Sequence, residues 1–321
     1  MDISLKNTKR ILIFLGFAFG IPWAVALVIA LTGVWDNNPL AAMTVANLVF
    51  ISTPVVANIA TRLVTKEGWG GFMLRLNFRR NWRFLLAAWL LPLLATVVGG
   101  VIFYLLFPQS FDPDLGVVRK LTASIPSVAA IDPWLIVIFM AIQGVLITVP
   151  INSVVSQGEE LGWRAYLLPK LMERFAGAEH VSRSGMVGAR RMALLVGLIH
   201  GVWHWPLFFL STKLDSSSAF PFPLVYLIFT CSMSVLLSWV TLRSGSVWPA
   251  AVGHGAINAT SALAGYMVKG PAIPLLGPAP TGLIGGLGYL TLALVLLFSR
   301  TVFTEQISGR DETASPSLVS R

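Results

Sequence analysis

Apolar runs of about 20 residues recur along the whole chain, and they leave few choices of fold. They cover Ile11 to Thr32, Leu40 to Leu63, Phe84 to Phe107, Trp134 through Pro150 to about Met172, Met192 to Leu210, Leu224 to Leu242, Val247 to Val268 and Leu283 to Phe298. A helix needs roughly 20 such residues to cross the hydrocarbon core of a bilayer. Inside that core every backbone polar group must be satisfied within the segment, which selects helices. The expectation is therefore all-α: a polytopic transmembrane helical bundle of about eight spans, integral and multi-pass. Composition agrees, with 55% hydrophobic and 12% charged residues, against about 25% charged in soluble domains. The first run exceeds the roughly 7–15 apolar residues of a signal peptide and reads as a retained helix. Gly16 and Gly20 within it have a helix-packing spacing. Residues 1–303 read as one transmembrane domain, and residues 304–321 as a polar, disordered cytoplasmic tail.

The basic residues orient the bundle. With the N-terminus inside, only Arg119, Lys120, Lys213 and Lys269 of the 23 Lys and Arg fall outside. The positive-inside rule then predicts both termini in the cytoplasm. The same distribution explains the net charge of +9 without nucleic acid, which is not expected as a partner. The single cysteine, Cys231, excludes an internal disulfide and reads as a small buried hydrophobe.

Charges next to or inside apolar runs are expensive unless paired or used. Glu159, Glu160 and Arg164 follow the fourth run. On a helix Glu160 and Arg164 are i,i+4 with the acid N-terminal, the favourable order for a pair. Glu159 lies about 100° round the helix and is left available as a general base. The same three residues also fit ordinary charges at a span end. His200 and His204 are i,i+4 in the fifth run, a spacing that can hold a metal, but no Glu follows the first His as in the zinc-protease signature. Pro206 removes a bond to the Val202 carbonyl and predicts a kink beside them. His254 and Asn258 repeat the spacing in the seventh run, where Ser246 suits an N-cap and Pro249 the first turn. Three of the four histidines are thus intramembrane. Linear counting places Glu159 near the interface and the histidines deeper, so the spans must tilt or the fourth helix must restart near Pro150.

At these residues the chain resembles the CPBP family of intramembrane proteases, which includes CAAX prenyl endopeptidases and bacteriocin-processing enzymes. The family's Glu-Glu-x-x-x-Arg motif matches Glu159, Glu160 and Arg164, and Gly162 to Pro169 is similar to bacterial members. Its second motif, an aromatic residue followed four positions later by His, matches His204, with His200 in the aromatic slot as a departure. Its His-x-x-x-Asn motif matches His254 and Asn258. The motif-bearing core is about 133–268. The resemblance implies hydrolysis of a peptide bond in a membrane-anchored peptide or protein substrate, lipid-modified chains included. Glu159 and His204 would activate a water, and His254 and Asn258 would stabilise the oxyanion. Glu160, Arg164 and His200 would support the site. No cofactor is implied by that glutamate mechanism; a metalloprotease version would bind zinc through Glu159, His204 and His254. The implied location is a bacterial or archaeal cell membrane, with the site open to the cytoplasm.

Two other classes share the bundle. A non-catalytic scaffold or immunity protein would tolerate loss of Glu159. A proton-coupled transporter would use intramembrane Glu and His as relays, but the motifs do not repeat between the halves, as transporter repeats often do.

Overall fold

A computed structural model describes residues 3–175, 183–210, 221–270, 273–299 and 303. The expected tail at 304–321, His180, and the loop holding Lys213 lie outside the described residues. The helices that build the bundle are α1 (Ile3–Thr32), α2 (Pro39–Thr65), α3 (Phe78–Leu106), α4 (Pro133–Phe175), α5 (Arg183–Trp203), its short continuation α6 (Trp205–Leu210), α7 (Pro221–Ser244), α8 (Trp248–Thr260) and α9 (Leu287–Phe298). Short helices occupy the connections, and no strand occurs among the described residues.

Local chemistry sets the boundaries. Asn38 caps α2 by accepting from the Ala41 N–H, with Pro39 in the first turn. Asn77 does the same for α3 through Arg80, and Asp132 caps α4 through Trp134, ahead of Pro133. These caps satisfy N–H groups that a helix start leaves free. At Ser246 the expected capping contact is present, the Trp248 N–H reaching its Oγ at 3.3 Å, although the helix start itself falls one residue later.

Among the described residues six helices are long and apolar enough to cross a membrane, where about eight spans were expected. The seventh run forms α8, 13 residues, about 20 Å at 1.5 Å per residue, and ends in a 3-10 turn at Leu263–Met267. The eighth run is helical only over α9, 12 residues. Its first part folds back: Leu283 N–H donates to Leu275 O and Ile284 N–H to Leu276 O. The large exposed side chains, such as Leu31, Leu48, Leu94, Phe139 and Phe298, form the apolar outer surface of a membrane protein rather than of a soluble one.

The fourth span is one helix of 43 residues, and it does not restart at Pro150. Two π turns, Gly144–Thr148 and Trp163–Leu167, interrupt its α-helical winding. The first immediately precedes the turn holding Pro150, where wider winding accommodates a residue without an N–H. Glu159 is followed by 16 more helical residues, about 24 Å of helix. That removes the mismatch in depth between Glu159 and the histidines.

α4 is the central element, packed by α2 on one side and α8 on another; α8 in turn packs on α3 and α7, and α7 on α5 and α9. Glycines permit the close approach. A Cβ at Gly158 or Gly162 would strike the backbone of α2 at Ile51 or Pro54, and one at Gly255 the α4 backbone at Ser153. Gly16 and Gly20 serve no such contact, since a Cβ at either meets nothing within 4 Å. Two apolar clusters flank the centre. One holds Phe14, Phe50, Trp163, Tyr166 and Trp203, and the other Ala88, Leu236, Val240, Ala250 and Tyr289.

Candidate active site

α4 presents its two adjacent carboxylates in different directions because consecutive residues differ by about 100°. Glu159 faces α5. Its Oε2 lies 2.8 Å from His200 Nε2, with the His200 side chain fully buried and that of Glu159 9% exposed. Glu160 faces α8. Its Oε1 accepts from Arg164 at 3.0 Å, the expected i,i+4 pair, and from His254 Nδ1 at 2.8 Å. Arg164 and Glu160 are both fully buried. So the three charges are not interfacial groups in a loop but the middle of a polar network inside the bundle.

His204 sits where the chain breaks between α5 and α6, one residue before Trp205 and two before Pro206. The kink expected from Pro206 is therefore present. His204 Nδ1 lies 2.9 Å from the His200 carbonyl oxygen. A carbonyl only accepts, so Nδ1 must carry the proton and Nε2 of the neutral ring keeps a lone pair. By the same reasoning His254 Nδ1 donates to Glu160, and His200 Nε2 donates to Glu159. The His200 ring is 4.9 Å from His204 and 6.0 Å from His254, centroid to centroid. Asn258, one turn beyond His254, is exposed.

His200, the departure in the aromatic slot, is the direct hydrogen-bond partner of Glu159. The metal set expected from Glu159, His204 and His254 is not the one gathered. Glu159, His200 and His204 offer ligand atoms within 4.8 Å of one another, while His254 Nδ1 is engaged by Glu160. The physical reason is the rotation of α4, which points Glu159 at α5 and Glu160 at α8. The gathered donors, two imidazoles and a carboxylate, are of the types zinc takes. The Nδ1 bond of His204 to a carbonyl is the usual support for an imidazole that ligates through Nε2. The group thus fits a zinc ion in donor chemistry.

Several buried polar atoms at this point have no protein partner among the described residues: Glu160 Oε2, Arg164 Nε and Nη2, His200 Nδ1 and both amide atoms of Gln157. Their concentration makes this the most polar part of the bundle's interior, with hydrogen-bonding capacity left for water or a ligand.

Supporting residues escaped the sequence reading. Trp163 lies 5.2 Å from the His200 ring and Trp203 5.6 Å, enclosing it. Tyr226 of α7 lies 5.4 Å from His204. Asn58 of α2 donates to the Leu161 carbonyl at 2.8 Å and accepts from Arg62 at 2.7 Å, bracing α4 just before its second π turn. Asn58 and Arg62 were visible as polar residues in an apolar run, a signal in their own right. Trp163 lay in the Gly162 to Pro169 stretch that resembles bacterial members, whereas Trp203 carried no signal beyond its apolar character.

The comparisons bear on this same stretch. Residues 130–260 match the family model of Rce1-like proteins, type II CAAX prenyl endopeptidases. The match spans all three motif-bearing helices and agrees with the resemblance carried by the motifs. No curated protein matches the chain.

Proposed function

Since the chain carries the Rce1-like region of the CAAX prenyl endopeptidases, we propose that it is an intramembrane endopeptidase that hydrolyses a peptide bond of a membrane-anchored peptide or protein. The observation that supports this most is the convergence of α4, α5 and α8 on one buried group: Glu159 on His200 at 2.8 Å, Glu160 on His254 at 2.8 Å, and His204 beside them.

In this reading Glu159, held by His200, takes a proton from a water whose second hydrogen is accepted by Nε2 of His204. The water oxygen attacks the carbonyl carbon, and negative charge develops on the carbonyl oxygen. Asn258 donates to that oxygen through its amide, and His254 through Nε2. Because His254 Nδ1 already donates to Glu160, it must carry both protons to do so. Oriented donors of this kind are a large part of the catalysis of acyl transfer. As the carbon–nitrogen bond breaks, Glu159 returns its proton to the leaving amine. Arg164 balances Glu160 and keeps α4 in register with α8. Glu159, His200 and His204 would hold a zinc ion, which when bound would supply a Lewis acid and a more acidic water.

The basic residues gathered on one side support a site reached from the cytoplasm with both termini inside, in a bacterial or archaeal cell membrane. The test is comparative peptidomics of membranes containing the wild type or Glu159→Ala, followed by assay of both purified proteins on a farnesylated C-terminal peptide and its unprenylated form. Loss of cleavage in a folded Glu159→Ala protein is expected. Retained cleavage would sink the assignment and leave a scaffold. Metal analysis decides the chemistry, since activity without bound metal or chelator sensitivity excludes zinc.

A further inference from the structure

A cavity of about 610 Å³, with polar walls, opens where α2 ends, α3 begins and α4 passes beneath them. Its walls include Arg62, Arg75, Arg80, Asn77, Asn81 and Lys170. None of the three motifs reaches it. The segment between α2 and α3 that forms its roof is held in place. Arg62 Nη1 donates to the carbonyls of Gly68 and Gly70, both at 2.7 Å. The Val247 N–H donates to the Met73 carbonyl at 2.9 Å, and Trp248 Nε1 to Leu74 at 3.0 Å.

The charges in this cavity do not balance. Lys170 is neutralised, lying 2.5 Å from Glu67 and 3.5 Å from Glu173. Arg62 is 6% exposed and bonds to carbonyls and Asn58, with no carboxylate partner among the described residues. Arg75 and Arg80 have no ion pair or hydrogen-bonded side-chain partner among them either, and both are exposed toward the mouth. A buried guanidinium without a counter-ion is costly, and three guanidinium groups around one opening form an anion site. Asn81 adds a second requirement. It is 1% exposed, and its Oδ1 has no hydrogen-bond partner among the described residues. An anion alone cannot satisfy that acceptor, whereas an occupant that also carries an O–H or N–H can.

The surroundings identify the kind of occupant. Trp69, Phe78 and Trp82 are 57%, 67% and 45% exposed, with Leu74 and Leu76 between them. Exposed tryptophans beside arginines at the end of apolar helices mark the headgroup level of a bilayer. We infer that this cavity binds the headgroup of an anionic phospholipid, its phosphodiester between Arg75 and Arg80 above Arg62 and its headgroup hydroxyl on Asn81, as phosphatidylglycerol would supply. Arginine forks match a phosphate bidentately. The site stands apart from the peptidase reading and needs no cleavage to be tested.

The test is native mass spectrometry of the delipidated full chain, offered phosphatidylglycerol, phosphatidylcholine or inorganic phosphate. One phosphatidylglycerol per chain is expected, preferred over phosphatidylcholine by about tenfold or more, the scale of a charged hydrogen bond. Arg75→Ala/Arg80→Ala removes the preference, and Arg75→Lys/Arg80→Lys keeps the charge and weakens it. Arg79→Ala/Arg83→Ala, which removes two neighbouring charges outside the cavity, leaves it intact. Equal retention of both lipids overturns the inference. So does an equal loss in the Arg79/Arg83 pair, which would reduce the effect to diffuse charge, or displacement of the lipid by inorganic phosphate at about millimolar level.

Discussion

Replacing His200 by phenylalanine separates packing from chemistry at Glu159. The His200 ring lies 5.2 Å from Trp163, 5.6 Å from Trp203 and 4.9 Å from His204, contacts that a phenyl ring of similar size keeps. The bond from Nε2 to Glu159 Oε2, 2.8 Å and buried, is lost. A hydrogen bond to a charged group contributes about 1.5–3 kcal/mol. If that bond holds Glu159 in the reacting geometry, the barrier rises by this amount and kcat falls about 10- to 150-fold. KM changes little, because His200 is enclosed and does not meet substrate. The assay is steady-state cleavage of a farnesylated reporter peptide by His200→Phe, His200→Gln and the wild type, with the melting temperature of each in the same detergent. Gln retains an N–H and recovers part of the rate. Metal content per chain is read alongside, since a zinc form loses a ligand in both variants. A folded His200→Phe protein with kcat within about twofold of the wild type would refute the reasoning and return His200 to a packing role.

Other outcomes follow from the same framework. Arg164→Ala strands Glu160 as a buried charge with one remaining partner and destabilises the bundle by about 3–5 kcal/mol, read as a drop in melting temperature; Arg164→Met combined with Glu160→Gln recovers much of that stability but no activity. Gly158→Ala drives a methyl into the Ile51 carbonyl and costs about 1–3 kcal/mol, whereas Gly16→Ala, with open space around it, leaves the melting temperature unchanged. Glu67, in the connection after α2, couples stability to pH. Burial pushes its carboxyl up, but Lys170 through hydrogen bond and charge, the Tyr166 hydroxyl and Arg10 together hold it below its ordinary value of 4.5. A lowered folded value means stabilisation that is complete above the ordinary value and is lost as pH falls through the lowered one. The wild type therefore loses melting temperature below about pH 4.5 more steeply than Glu67→Gln.

The sequence exposed the site through its costs. Charges and histidines in apolar runs, the i,i+4 order of Glu160 and Arg164, and Pro206 after His204 are local features, and local rules read them. The partner of Glu159 was not readable, because it depends on how α5 is rotated and seated. That seating is fixed by Gly197 and Gly201, where a Cβ would collide with Cys231 and Thr230 of α7, a contact between residues far apart in the chain. That only six of the expected runs form helices long enough to cross, among the described residues, has a similar reason. Hydropathy registers apolar residues but not their backbone, and at Gly282, Gly285 and Gly286 the chain turns on itself: a Cβ at Gly285 would meet the Ala279 carbonyl. An apolar run can be a folded-back loop when glycines let backbone lie on backbone.

The division of the glutamate doublet between two helices has a mechanical meaning. With Glu159 tied to α5 and Glu160 tied to α8, α4 works as a keyed shaft rather than a free roller. Turning it by about 100°, one residue's worth, would bring Glu160 to the place of Glu159, break both present bonds and leave His254 without a carboxylate. A substrate path that opened by rolling α4 would thus dismantle the machinery it was meant to feed. In the peptidase reading, passage of a peptide to Glu159 would instead come from helices outside this linkage, with α4, α5 and α8 moving, when they move, as one piece.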